Sequence, residues 1–272
     1  MSLFLAGLLR VTGGAKRGPM LMGFAVVAGV IVAFLLTGKA EPFPPASGLG
    51  KAFYLVVLGA ALGLAIDLTP RAKPLEELVL LAFPPLALLW VAWPKIWAGP
   101  GFVEVLVLIV AWIAGTVWLF RFKSTADQGG ALIGGIMLCL AGAGAAGAAL
   151  LADSVTLALF AAAVVASSMG FLLWRLAALV LMGSPGPFGA LPLFGGAGAL
   201  LVFADLMIVQ APRISLWALL VLVLLPFVLL PFKRILSIDT TTGRLVTAFL
   251  LSVLGSGVAA AAVGIAFLSV TS

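Results

Sequence analysis

The stretch GGALIGGIMLCLAGAGAAGAALL, residues 129–151, runs for 23 residues without an Asp, Glu, Lys or Arg. Only Ala152-Asp153-Ser154 separates it from a second uncharged run, VTLALFAAAVVASSMGFLLW, residues 155–174. At 1.5 Å per residue, about 20 helical residues cross a hydrocarbon layer roughly 30 Å thick. The two runs are therefore predicted to be membrane-spanning helices joined by a short turn.

The pattern repeats on both sides of this pair. Apolar runs at 20–37, 51–68, 76–93, 102–121, 189–209, 213–232 and 244–269 bring the candidate spans to nine. The predicted fold class is all-α: a polytopic transmembrane helical bundle of about nine spans. Residues 19–272 form its single transmembrane domain, and residues 1–18 form a cytoplasmic or interfacial N-terminal segment. Past Arg175 the sixth run stays apolar through Met182, so that helix either runs long or turns along the interface. Composition agrees, with 64% hydrophobic and 9% charged residues, against roughly 25% charged in soluble domains. The connections are short and rich in Pro and Gly, which stop helices and make turns. Glu41-Pro42-Phe43-Pro44-Pro45, Gly99-Pro100-Gly101 and Ser184-Pro185-Gly186-Pro187 are examples. None is long enough to hold a soluble domain.

The net charge of +6 would suggest nucleic acid in a soluble protein,. Here the cations flank apolar runs, so they read as orientation signals, and no nucleic-acid partner is expected. With nine spans and the N-terminus inside, the inner side holds Arg10, Lys16, Arg17, Arg71, Lys73, Arg121, Lys123, Arg175, Lys233, Arg234 and Arg244. The outer side holds Lys39, Lys51, Lys95 and Arg213. That excess predicts an N-in, C-out protein. Short connections and the inside-positive bias suit a bacterial inner membrane.

Small residues at four-residue spacing let membrane helices approach closely. Such stripes occur at Gly59 and Gly63, at Ala25, Gly29 and Ala33, and at Ser252, Ser256, Ala260 and Gly264. These helices are expected inside the bundle, with the Leu-, Val- and Trp-rich third, fourth and eighth spans on the lipid-facing rim. An offset of 59 residues carries Gly130-Ala131-Leu132 onto Gly189-Ala190-Leu191, and Arg175 onto Arg234. Either the hairpins are duplicated or two apolar hairpins of equal length simply align.

Few residues can carry chemistry. With no histidine and one cysteine, Cys139, the chain alone supplies no His-ligated metal and no Ser-His triad. No G-x-x-x-x-G-K-[ST] loop occurs, and neither cofactor nor metal is expected. Ionisable groups within spans are costly and become candidates by default. Asp205, one turn from the outer end of the seventh span, either pairs with Arg213 or forms a proton or cation site. Arg175, with apolar flanks, binds a lipid phosphate or an anionic substrate, or else snorkels to the interface. Asp67 is expected to pair with Arg71 and Lys73. It sits at the opposite face from Asp205, which excludes an aspartyl dyad. Glu76, Glu77, Glu104, Asp127, Asp153 and Asp239 are assigned to helix starts. Pro84 and Pro85 in the third span, and Pro226 and Pro231 in the eighth, are helix-break candidates, and Gly183 to Gly196 a candidate re-entrant turn.

These features predict a non-enzymatic transporter or permease component for a small solute or lipid. The alternative is a scaffold subunit of a larger membrane complex. Expected partners are membrane lipids, other membrane subunits or further copies of the chain.

Overall fold

A computed structural model describes residues 4, 5, 7, 8, 22–69, 73–182, 186–210, 215–228 and 241–271. Every regular element in them is a helix: α1 (Phe24–Leu36), α2 (Gly48–Leu68), α3 (Lys73–Trp97), α4 (Phe102–Leu151), α5 (Val155–Met182), α6 (Ala190–Gln210), α7 (Leu216–Val223) and α8 (Thr241–Thr271). Six of them, α2 to α6 and α8, are long and apolar enough to cross a bilayer, while α1 and α7 are shorter apolar helices.

The 50 residues of α4 would measure about 75 Å if straight,, far more than a hydrocarbon layer. Gly130 resolves this. It sits at φ 72°, ψ −169°, a region that essentially only glycine occupies. Trp118 and Ala141 line the same groove, yet a straight helix would hold them roughly 35 Å apart. The chain therefore folds back at Gly130, and α4 is two antiparallel limbs, 102–129 and 131–151. Gly189 (φ 81°, ψ 161°) starts α6 with the same kind of backbone. These are the two glycines that the 59-residue offset superposes. Arg234, the other end of that alignment, lies outside the described residues.

Helix α6 is the central post. In its most apolar 18-residue stretch 83% of positions are buried, against 17% in α4. It packs against α2, α3, α4 and α5. Phe34 of α1, Phe160 of α5 and Phe203 of α6 form one fully buried aromatic cluster, with Phe34 and Phe160 stacked at 4.0 Å. Close approach of α2 to α6 depends on two glycines. A Cβ on Gly63 would lie 2.6 Å from the Ala190 carbonyl oxygen, and one on Gly59 would lie 2.7 Å from that of Phe194. Phe194 belongs to a π turn, Leu193–Ala197, within α6, closed by the Gly198 amide donating to the Leu193 carbonyl.

Polar contacts between elements gather at the two ends of the bundle. At one end the Tyr54 hydroxyl donates to the Glu41 carbonyl (2.8 Å) and Lys95 pairs with Glu104 (3.1 Å). There too the Lys51 ammonium donates to the Trp90 carbonyl at 3.0 Å. The residue four ahead of Trp90 is Pro94, which has no N–H to give it, so Lys51 replaces the missing donor and stays almost wholly buried. At the other end Glu76 pairs with Lys123 (3.3 Å), and the Ala131 amide donates to the Gly186 carbonyl (3.0 Å).

Several expectations are corrected. Helix α3 does not break at Pro84 or Pro85 but runs through both and through Pro94. Its neighbours α2, α4 and α6 hold it in place, the setting in which membrane helices tolerate proline. Helix α3 keeps one face on the rim, with Leu78, Leu81, Leu86 and Trp93 exposed, while Leu80, Phe83, Ala87 and Val91 pack inward. In α8 the stripe Ser256, Ala260 and Gly264 faces outward; Leu251, Gly255, Ala259, Ala262 and Ala266 face the bundle instead. From Ala190 onward the Gly/Pro-rich stretch is helix, not a re-entrant turn. Asp127 lies within a helix and pairs with Lys123, while Asp153 occupies a left-handed turn at φ 57°. Pro231 and Asp239 lie outside the described residues.

Candidate functional site

The candidate site is a groove of about 220 Å³ beside the central post. One wall comes from the first limb of α4, through Val110, Gly115 and Trp118. The second limb adds Ala141 and Ala145, and α7 adds Leu219 and Leu222. The back wall is α6, with Leu201, Ala204, Asp205 and Ile208. Two glycines shape it: the fold-back at Gly130 puts both limbs of α4 on the groove, and Gly189 starts the helix that carries Asp205. On the outer lip Leu106 and Val110 are about half exposed, so the groove opens sideways, toward lipid.

Among the described residues Asp205 is the only charged one in this lining. Its side chain is 3% exposed, and Oδ2 has no hydrogen-bond partner among the described residues. Arg213, its expected counter-ion, lies outside them. A buried carboxyl group without a donor is costly, and the cost rises where no water reaches it.

Arg175 belongs to another part of the molecule. It is 2% exposed, with its guanidinium 4.8 Å from the centre of the Phe171 ring. Phe171 meets Phe188, just before α6 begins. Asp205 stands about 22 Å further along α6, so the structure does not bring Asp205 and Arg175 together. Burial also corrects the snorkelling expectation: Arg175 is covered by protein.

Arg71, one of the cations expected for Asp67, lies outside the described residues, and the partners seen are backbone amides. Asp67 Oδ1 accepts from the Ala190 amide at 2.8 Å, and its Oδ2 from the Leu191 amide at 2.9 Å. It caps α6 from a neighbouring helix, closing orphan donors at the positive end of the dipole. Pro84 is buried in the packing of α3. Helix α7 stops at Val223, and the 3-10 turn Leu225–Phe227 contains Pro226, whose carbonyl accepts from the Thr125 hydroxyl at 3.2 Å. Among the described residues no group of three or more His, Cys, Asp or Glu is placed to hold a metal.

Sequence reasoning singled out Asp205 but not its surroundings. Trp118 is 7% exposed and lines the groove. The signal in the sequence was the small-residue run Ala141 to Ala149, which leaves room beside α6.

No family model and no curated protein matches this chain. The fold defines its class: a multi-pass integral membrane protein built as a helical bundle.

Proposed function

We propose that this protein is a transporter or permease component of a bacterial inner membrane, moving a small amphiphilic solute or lipid. In this reading the bundle makes nine crossings, with the N-terminus inside and the C-terminus outside, and performs no covalent chemistry. The observation that carries it is Asp205, a lone carboxyl group in an apolar groove that opens toward lipid. A purely structural bundle gains nothing from such a group, because an unpartnered buried polar atom destabilises it.

The test is flux. Cells producing the wild-type chain or Asp205→Asn are compared for accumulation of a panel of labelled lipids and lipophilic solutes. At least one compound should change several-fold with the wild type and return to background with the variant. A panel that responds equally to both chains removes the support for transport.

One observation favours a second reading, a scaffold subunit. The stripe Ser256, Ala260 and Gly264 on α8 is exposed, and a Cβ on Gly264 would meet nothing within 4 Å. Small residues on an open face suit a helix from another polypeptide. Native mass spectrometry of gently extracted protein separates the readings. A fixed ratio with other polypeptides favours the scaffold; a lone chain or homo-oligomer carrying only lipid favours transport.

A further inference from the structure

The chemistry of the groove specifies its ligand more narrowly than the phrase small solute or lipid. Among the described residues its lining supplies an extended apolar surface, one carboxyl group, and neither Lys nor Arg. The described residues offer Asp205 no donor, which leaves that place to the occupant. A hydroxyl brings one donor and no charge. An ammonium brings up to three and offsets the carboxylate charge, which gives the shorter and stronger kind of hydrogen bond. Size narrows the choice as well. A cavity of roughly 150 Å³ admits benzene, so about 220 Å³ accepts the head and first carbons of a larger molecule. The half-exposed lip at Leu106 and Val110 leaves the remainder of an apolar chain in lipid.

We propose that the groove between the limbs of α4, α6 and α7 binds a lipophilic amine, entering from the bilayer, with its cationic nitrogen on the Asp205 carboxylate. This rests on the carrier reading above and deepens it. An anionic amphiphile is disfavoured because its head would face Asp205 with no cation among the described lining residues to hold it. Arg175, the cation covered by protein, stands near the far end of α6.

Trp118 lies in the groove wall and provides the readout. The full chain is placed in phosphatidylcholine nanodiscs and titrated with 11-bromoundecylamine, 11-bromoundecanol and 11-bromoundecanoate, whose bromine quenches tryptophan on contact. A Trp118→Phe sample, titrated in parallel, subtracts quenching of the other tryptophans. The expected result is saturable, Trp118-dependent quenching by the amine at a concentration at least tenfold lower than for the alcohol, and weaker still for the carboxylate. Asp205→Asn should bring the amine to the level of the alcohol. The comparison of headgroups on the wild-type chain stands even if that variant does not fold. Equal binding of amine and alcohol overturns the cationic ligand, as does the absence of any saturable signal from Trp118. The two levels of the argument fail separately. Amine binding without Asp205-dependent flux leaves the site and removes the carrier. Asp205-dependent flux without preference for the amine leaves the carrier and removes this ligand.

Discussion

Asp67 and Asp205 are both acidic residues in apolar helices, yet the fold treats them in opposite ways. Asp67 is half-buried and spends both oxygens on the first amides of α6. Asp205, on that same helix about 22 Å away, is more deeply buried and receives no donor from the described residues. One carboxylate holds the post in place; the other is held by it. The difference teaches that burial alone does not assign a role to a membrane acid. What decides is whether the protein has already supplied its hydrogen bonds.

The sharpest break of this comparison is Asp67→Ala, which leaves two buried amides at the start of α6 without acceptors. A loss of about 3 kcal/mol is expected, read as a lowered unfolding midpoint in detergent. Asp67→Asn, with one acceptor oxygen, should lose about half as much. Next comes Gly63→Ala. Its Cβ would press on backbone atoms of Ala190 and Leu191, and a loss of about 2 kcal/mol is expected from the forced separation of α2 and α6. Because Gly63 lies one turn from Asp67, the double variant should cost less than the two single losses together. Asp205→Leu should do the reverse of Asp67→Ala, leaving stability unchanged or raising it by about 1 kcal/mol while abolishing the preference for the amine. A large loss of stability in that variant would give both acids a structural role and erase the contrast.

The smallest effect concerns a third acid, in the loop before α2. Hydrogen bonds from Ser47, with a further one from the Ala46 amide, hold the Glu41 carboxyl below the usual carboxylate range. A depressed folded-state value adds stability above the unfolded value and loses it as the carboxylate protonates. Glu41→Gln should therefore be slightly less stable than wild type at neutral pH, and the gap should close as pH falls below 4.5. Paired melting curves across that range check the sign.

Much of the architecture was legible because crossing a bilayer imposes a length, and length and hydropathy are properties of single runs. The Gly59 and Gly63 stripe was legible for a similar reason, since its spacing is local to one helix. Partners were not. Asp67 was matched with Arg71 and Lys73 because a sequence displays charges, while the amides that satisfy it belong to residues 123 and 124 positions away and look like any others. Small residues on α8 marked close packing, but nothing within that run says which side faces the bundle. Proline was read as an interruption in α3, whereas its neighbours hold the helix together and Lys51 supplies the donor that Pro94 lacks. Asp205 itself stood out by cost alone; its groove is assembled from four stretches of chain, two of them brought together by the fold-back at Gly130.

The π turn at Leu193–Ala197 has a bearing on ancestry as well as shape. A π turn takes up one residue more than an α turn, and an α-helix advances about 100° per residue. Wound as ordinary α-helix, the same sequence would present Ala204 where Asp205 now stands. The turn thus behaves like a single inserted codon whose slack is absorbed on the spot. Deleting one residue within Leu193–Ala197 should straighten the winding and leave Asp205 facing the groove. An equal deletion a few residues later would turn the carboxylate away and bring Leu206 into its place.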